Sequence, residues 1–353
     1  MHDEAMVFDN DKYKAVKSPS YNYIFIKSNG KFARWGETQG DDPDTSPFGP
    51  EILDIEIATG YCSAAMNGCP WCYKSNTWKQ GELMSLDTFK HVIDVLNQGV
   101  LTQVAFGLTD VDANPDFPDM LRYCRNVGIV PNYTTSGHGL NVDLFNVTAD
   151  LCGAVAVSVY DHNRRLAIST IKAFIELGMD QVNAHLLYWD GNSMFIKNVM
   201  SQLASIDGLN AAVLLALKPI GQGQKYQTAT YSQTKELIEH AISVGLLYGF
   251  DSCTAPKFIK WVLEGSDYSK SKKSYLIMLS ESCESSRMSS YVNVKGEFYP
   301  CSFVENVGLE PINMLDCTSI EDFWFHKQTI SFRKKLIATK DSYNCFHCPA
   351  FQL

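Results

Sequence analysis

The chain has 353 residues, 45% of them hydrophobic, enough for one large domain and an appendage. Its 30 Lys and Arg stand against 39 Asp and Glu, a net charge of −9. That balance argues against broad nucleic-acid binding, because phosphate contacts need a positive face. The stretch Met1–Met6 has no basic segment leading into an apolar core, and no apolar run of about 18 residues could span a bilayer. A cytoplasmic protein that does not bind membranes is expected.

Eleven cysteines are the anomaly in this composition. In a reducing compartment they point to metal ligation or catalysis before disulfides. Seven of them fall into two spaced groups, Cys62, Cys69, Cys72 and Cys283, Cys301, Cys345, Cys348.

In chain order, residues 21–26 and 31–35 predict a hairpin about an Asn29-Gly30 turn, within an extension spanning 1–50. From residue 51, strands are expected at 53–58, 103–107, 129–134, 153–159, 181–187 and 211–218. Amphipathic helices alternate with them, the first capped by Ser85 with Phe89, Val92, Ile93 and Leu96 on one face, the others at 117–127, 164–178, 194–206 and 230–245. Strand–helix repetition implies an α/β fold with a parallel sheet and right-handed crossovers. Six units are too few for a closed eight-fold barrel, so a partial (β/α)6 barrel over 51–255 is expected, with its ligands at the C-terminal strand ends. Beyond it, Lys257, Lys260, Lys270, Lys272 and Lys273 suggest a solvated linker. Residues 256–353 would form a small α+β cluster-binding module. There Ser290–Cys301 suggests a hairpin turning at Lys295-Gly296 with Cys283 and Cys301 on either side, and Cys345-Phe346-His347-Cys348 follows.

The first cysteine group lies on the loop after the first strand, Cys62-Ser-Ala-Ala-Met-Asn-Gly68-Cys69-Pro70-Trp71-Cys72. Three thiolates on a four-iron cubane leave one iron open to a substrate, unlike a complete four-cysteine set. The alternative is a zinc site, since a Cys-x2-Cys pair serves both metals. The Cys69-Pro70-Trp71-Cys72 segment, with its aromatic before the third cysteine, resembles the radical S-adenosylmethionine (SAM) superfamily. The six residues between Cys62 and Cys69 are more than the family's usual three, and Gly68 would help the longer loop turn.

The resemblance implies a 4Fe-4S cluster on Cys62, Cys69 and Cys72 whose open iron chelates SAM, with Trp71 near the adenine. It extends over roughly 51–250. Gly107-Leu108-Thr109-Asp110 is similar to the family's Gly-Gly-Glu segment, so Gly107 and Asp110 would face the SAM amino group, with Asp110 where Glu is usual. By the same resemblance Ser136, Ser158, Lys218 and Pro219, at the ends of later strands, would line the SAM pocket.

The second group, a cysteine, a hairpin glycine (Gly296), a cysteine after an intervening tetrapeptide and a closing Cys-x2-Cys, resembles the twitch and SPASM modules that follow radical SAM barrels. With four cysteines it is like the shorter twitch form, which implies one auxiliary 4Fe-4S cluster on Cys283, Cys301, Cys345 and Cys348; zinc would accept the same four sulfurs. Cys124 and Cys152 are expected in the core, and Cys253 could face the pocket.

The function implied is reductive cleavage of SAM and hydrogen abstraction from a peptide, protein side chain or small metabolite. The auxiliary cluster would accept the substrate electron, and a flavodoxin or ferredoxin would supply the reducing electron. Collapse of the substrate radical also needs a proton acceptor, for which the strand-end residues Asp161, His185, Tyr188 and Asp251 are candidates. The alternative function is a non-catalytic binding protein stabilised by zinc or a cluster.

Overall fold

The structure is a computed structural model that describes residues 5–66, 69–76, 80–305, 307–343 and 345–351. Gly68 and Met1–Glu4 lie outside the described residues.

The first unit is an antiparallel meander of four strands, β1 (Met6–Asp9), β2 (Tyr13–Lys17), β3 (Asn22–Ile26) and β4 (Phe32–Trp35). The expected hairpin is β3–β4, turned by Gly30 at φ +68°. Two strands before it escaped the sequence: in β1 Met6, Val7 and Phe8 are all exposed and show no alternation, and in β2 the charged Lys14 holds one of the two buried positions. The meander packs on the N-terminal ends of the main sheet: Tyr23 Oη donates to Val100 O at 2.8 Å and Lys14 Nζ to Leu101 O at 2.9 Å. Arg34 seals the junction with an ion pair of 2.9 Å to Glu51, both side chains almost wholly buried.

The main sheet has ten strands. Seven run parallel in chain order: β5 (Ile52–Glu56), β6 (Gln103–Gly107), β7 (Val130–Thr135), β8 (Ala154–Ser158), β9 (Val182–Tyr188), β10 (Ala211–Ala216) and β11 (Tyr248–Phe250). The six expected strands are all present. The seventh, β11, is only three residues long and half-buried, which left no periodic signal.

On the other edge, β12 (Ser289–Val292) joins β5 in parallel and leads into the antiparallel β13 (Glu297–Tyr299) and β14 (Ile312–Asn313). The expected hairpin is therefore β12–β13, turned by Gly296 at φ +78°, and it continues the main sheet.

Helices cover the outer face. A short α1 (Ser63–Met66) lies in the first cysteine loop, and α2 (Leu86–Leu96) follows, with Ser85 Oγ accepting from Thr88 N as its cap. Then come α3 (Phe117–Asn126), α4 (Val142–Leu151), α5 (Arg164–Glu176), α6 (Ser193–Leu203) and α7 (Tyr231–Ser243). Four of these were expected; α4 was not, because few of its residues are buried. The lysine-bearing stretch is helical where a linker was expected, forming α8 (Ala255–Lys260) and α9 (Lys270–Met278), and Lys257 Nζ and Lys273 Nζ cap backbone carbonyls. The last helix is α10 (Lys327–Ile337).

The core lies between sheet and helices, where Leu53, Ile55, Val104, Phe106, Val155, Leu186 and Leu214 are fully or nearly buried. Cys124 and Cys152 belong to it as expected. The inner face carries small and polar residues instead, among them Asp54, Ala105, Asn132, Asn183 and His185, none of them buried. A closed barrel packs this face with branched apolar side chains; here it stays open to a ligand. The sheet curls across it, since the loop after β10 meets the loop after β5 through Gln222 N and Cys72 O at 3.0 Å.

Candidate active site

The first cysteine group lies at the C-terminal end of β5, and Cys283 and Cys301 of the second flank the open end of the β12–β13 hairpin. Cys62, Cys69 and Cys72 are half-buried on the β5–α2 loop. Burial and the neighbouring thiols of Cys72 and Cys62 push the Cys69 thiol up. Thiolates held this close repel one another, and a cationic metal core removes that repulsion. The donor set therefore fits the expected cluster.

The loop is held from three directions. Asp110, buried after β6, accepts from Ser63 N at 2.9 Å and from Ser63 Oγ. Segment 218–225 wraps the other side, and only glycine fits there: a Cβ on Gly221, whose φ is +54°, would lie 2.2 Å from Tyr73 O. A Cβ on Gly223 would lie 2.4 Å from Lys218 O. From the hairpin side, Lys74 forms ion pairs with Glu56, at 3.2 Å, and with Glu305, and Tyr291 Oη donates to Glu56 at 3.1 Å. Burial pushes the Glu56 carboxyl up, and Lys74 opposes it.

Beside the cysteines is an aromatic cavity of about 340 Å³ lined by Trp71, Tyr160, Asp161, Leu187, Trp189, Asn192 and Phe195. Trp71 lies 4.7 Å from Trp189 and 5.4 Å from Tyr160 between ring centroids. Among the described residues the buried hydroxyl of Thr109 has no hydrogen-bond partner, which leaves a polar atom for a ligand to satisfy, and the Trp71 side chain is directed at the Cys69 thiol.

Two asparagines without any motif to single them out set the loop ends. Asn163 donates to Ser136 O and Ser158 O, each at 2.9 Å, and accepts from Tyr160 N at 2.7 Å. Asn192 does the same after β9, donating to Leu187 O at 3.0 Å and accepting from Trp189 N at 2.9 Å. Ser136 and Ser158 are thus joined through one side chain, although the Ser136 hydroxyl itself is paired with His138 at 2.9 Å. Gly107 closes β6 with its carbonyl on Ile57 N, 2.9 Å away.

The four candidate proton acceptors separate. Asp161 lines the aromatic cavity. His185 is half-buried on the inner face, where desolvation lowers its imidazole to about 4 and keeps it neutral. Tyr188 points the opposite way, fully buried against α7 with its hydroxyl 3.1 Å from Thr234 Oγ1, because the strand's alternation puts it with Leu186. It is a packing residue. Asp251 is paired with the buried Lys218 and accepts from Thr254 N at 3.1 Å. Lys218 also lies 5.3 Å over the Phe303 ring, and Pro219 beside it is half-buried.

The second group gathers around another cavity of about 270 Å³, lined by Cys253, Cys283 and Cys348 together with Phe346 and His347. Cys301 is close to them, since the thiols of Cys253, Cys283 and Cys348 all help raise its own. Cys345 is buried, but it does not line this cavity. Among the described residues no three His, Cys, Asp or Glu side chains converge closely enough to hold a single metal ion. Between the two groups, the Tyr73 and Phe303 rings meet edge to face at 4.9 Å.

No family model matches the sequence, and no curated protein matches it. The fold, however, is that of radical SAM enzymes. SuiB of Streptococcus suis superposes with a TM-score of 0.70 at 12% identity, over 98% of this chain and 100% of that one. SuiB bound to its precursor peptide SuiA gives 0.69 at 12% identity, over 99% and 100%. A further neighbour, anSMEcpe with bound AdoMet and the Cp18Cys peptide, gives 0.60 at 14% identity, over 81% and 83%. Among the described residues no helix is long and apolar enough to cross a membrane.

Proposed function

We propose that the protein is a radical SAM enzyme that cleaves SAM reductively and removes a hydrogen atom from its substrate. The observation that carries this is the meeting of three thiols, Cys62, Cys69 and Cys72, with an aromatic cavity walled by Trp71 at the C-terminal edge of a curled parallel sheet. Cys62, Cys69 and Cys72 would hold a 4Fe-4S cluster, which would supply the electron for reductive cleavage of SAM.

The chain's own residues bind and orient. Trp71, between Trp189 and Tyr160, offers a flat face to the adenine. Gly107, Asp110, Ser136, Ser158, Lys218 and Pro219 surround the SAM pocket. Asp110 acts chiefly by holding Ser63, and Lys218 by its pairing with Asp251. Asp161 is the proton acceptor, because of the four candidates it is the one that lines the cavity. The curled sheet serves as the partial barrel, with the second thiol group as a site for an auxiliary 4Fe-4S cluster held by Cys283, Cys301, Cys348 and a fourth thiolate. Held there, such a cluster would supply an acceptor for the substrate electron, and a flavodoxin or ferredoxin would supply the reducing one.

The polar, open inner face suits an extended polar substrate. Two neighbours of the same fold were solved with peptides, which favours a peptide over a small metabolite.

Anaerobic reconstitution followed by reduction with SAM tests the reading. The wild type is expected to hold about eight irons with matching sulfide and to release 5′-deoxyadenosine. Cys69→Ala is expected to release none. A colourless zinc protein that leaves SAM intact would establish the non-catalytic alternative instead.

A further inference from the structure

We propose that the fourth thiolate of the second metal group is Cys253, on the loop after β11, and that Cys345 is a packing residue. The proposal rests on the reading of that group as an iron–sulfur site, and it departs from the Cys-x2-Cys pairing that spacing alone suggests.

Geometry separates the two cysteines. The cavity of about 270 Å³ is lined by the thiol-bearing residues Cys253, Cys283 and Cys348. Cys345 is 1% exposed and locked into a turn closed on itself. Its amide donates to Asp341 Oδ1 at 3.0 Å, its carbonyl accepts from Asp341 N at 3.0 Å, and its thiol lies 3.9 Å from Tyr343 O. The other oxygen of Asp341 is 2.8 Å from His347 Nε2, which fixes the turn against the cavity wall. Turning the Cys345 side chain to the cavity would take its thiol out of this packing, whereas Cys253, Cys283 and Cys348 already line the cavity.

Mutual influence among the thiols agrees. Cys253 acts on both Cys283 and Cys301, and Cys348 acts on all three. Among the described residues, Asp341 is the one charged group that acts on Cys345.

Topology gives the arrangement a purpose. Cys253 follows β11 at one edge of the main sheet, whereas Cys283 and Cys301 flank the hairpin that continues it beyond β5. A shared metal core would clamp the two ends of the curl across the open face.

The test uses the full chain with Cys62, Cys69 and Cys72 changed to Ala, so that only the second group can bind iron. This parent is expected to hold about four irons after anaerobic reconstitution. Added Cys345→Ala should leave the iron, sulfide and electron paramagnetic resonance spectrum of the reduced protein unchanged, whereas added Cys253→Ala should remove most of the iron. Cys253→Asp, which offers an oxygen ligand of similar size, should keep iron with an altered spectrum, and it decides the matter if the alanine variant is insoluble. Retention of the full iron content by Cys253→Ala, an unaltered spectrum for Cys253→Asp, or iron loss by a well-folded Cys345→Ala would overturn the proposal. A parent without iron would instead sink the auxiliary-cluster reading and take this proposal with it.

Discussion

Asp110 holds Ser63: one carboxylate oxygen accepts the Ser63 amide at 2.9 Å and the other accepts its hydroxyl. Ser63 follows Cys62 directly, so the carboxylate that resemblance assigns to the SAM ammonium is anchoring the first cysteine loop. Asp110→Asn keeps the shape and removes the charge, weakening this anchor by about 1–2 kcal/mol. Iron bound at the first cysteine group should then be lost to a chelator several-fold faster than in the wild type. A carboxylate that served SAM alone would leave the chelation rate unchanged and shift SAM affinity only.

Gly221 approaches the backbone of the same loop closely. Its φ is +54°, and an added Cβ would lie 2.2 Å from Tyr73 O and 2.9 Å from Cys72 O. Backbone atoms of a loop pinned on both sides cannot yield as a flexible side chain does. Gly221→Ala is expected to cost more than about 2 kcal/mol. The measurement is the urea midpoint of the apoprotein, with Gly178→Ala as the comparison. Gly178 also has a positive φ, +86°, but nothing lies within 4 Å of its added Cβ, so its cost reports backbone strain alone. Equal losses would show that close contact at Gly221 contributes nothing.

Asn163 ties three backbone groups from the ends of β7 and β8. Asn163→Ala leaves two buried carbonyls and an amide without this partner, a loss of about 2–3 kcal/mol. Asn163→Asp should be worse than alanine near neutral pH, because a carboxylate has no proton to donate and would face the carbonyls of Ser136 and Ser158. Denaturation of both variants checks the order. Aspartate equal to asparagine would mean that the two donated bonds carry no weight.

These three positions show what a sequence can carry. The six longer parallel strands, the Ser85 cap and both glycine-turned hairpins were legible, since each depends on local periodicity or on a φ that glycine permits. The fold class followed from strand–helix alternation, which needs no tertiary information. Cys69-Pro70-Trp71-Cys72 marked the candidate site because its members are adjacent in the chain.

What escaped depends on who meets whom across the curl. Asp54 and Glu56 sit on the inner face of β5 between Leu53, Ile55 and Ile57, and this alternation of charge on a buried strand was the one available signal of an open interior. Lys74 needed Glu56 and Glu305, residues 18 positions before it and 231 positions after it, to become a clasp. Asn163 and Asn192 resembled ordinary loop residues until strand ends were placed beside them. Tyr188 was a plausible proton acceptor by its strand-end position, and the pleat of β9 turned it to the helix side.

His185, by contrast, lies on the inner face, and its environment makes a pH-dependent stability measurable. Burial lowers its imidazole from the usual value near 6.5 to about 4, with Asp251 opposing the shift. The folded protein therefore binds this proton less tightly than the unfolded chain does. Above about pH 6.5 the imidazole is neutral in both states and its titration has no effect on stability. As the pH falls below that value the unfolded chain takes up the proton first, and stability is lost progressively until the folded state also protonates near pH 4. Discounted for the partial exposure of the ring, the loss at pH 4.5 is about 2 kcal/mol. His185→Gln cannot titrate and should escape it. Urea midpoints of both proteins from pH 7.5 to 4.5 would show the wild-type curve falling away from the variant's below about pH 6.5. Parallel curves across that window would mean that His185 protonates as easily folded as unfolded, and that the inner face is wetter than its half-buried side chains indicate.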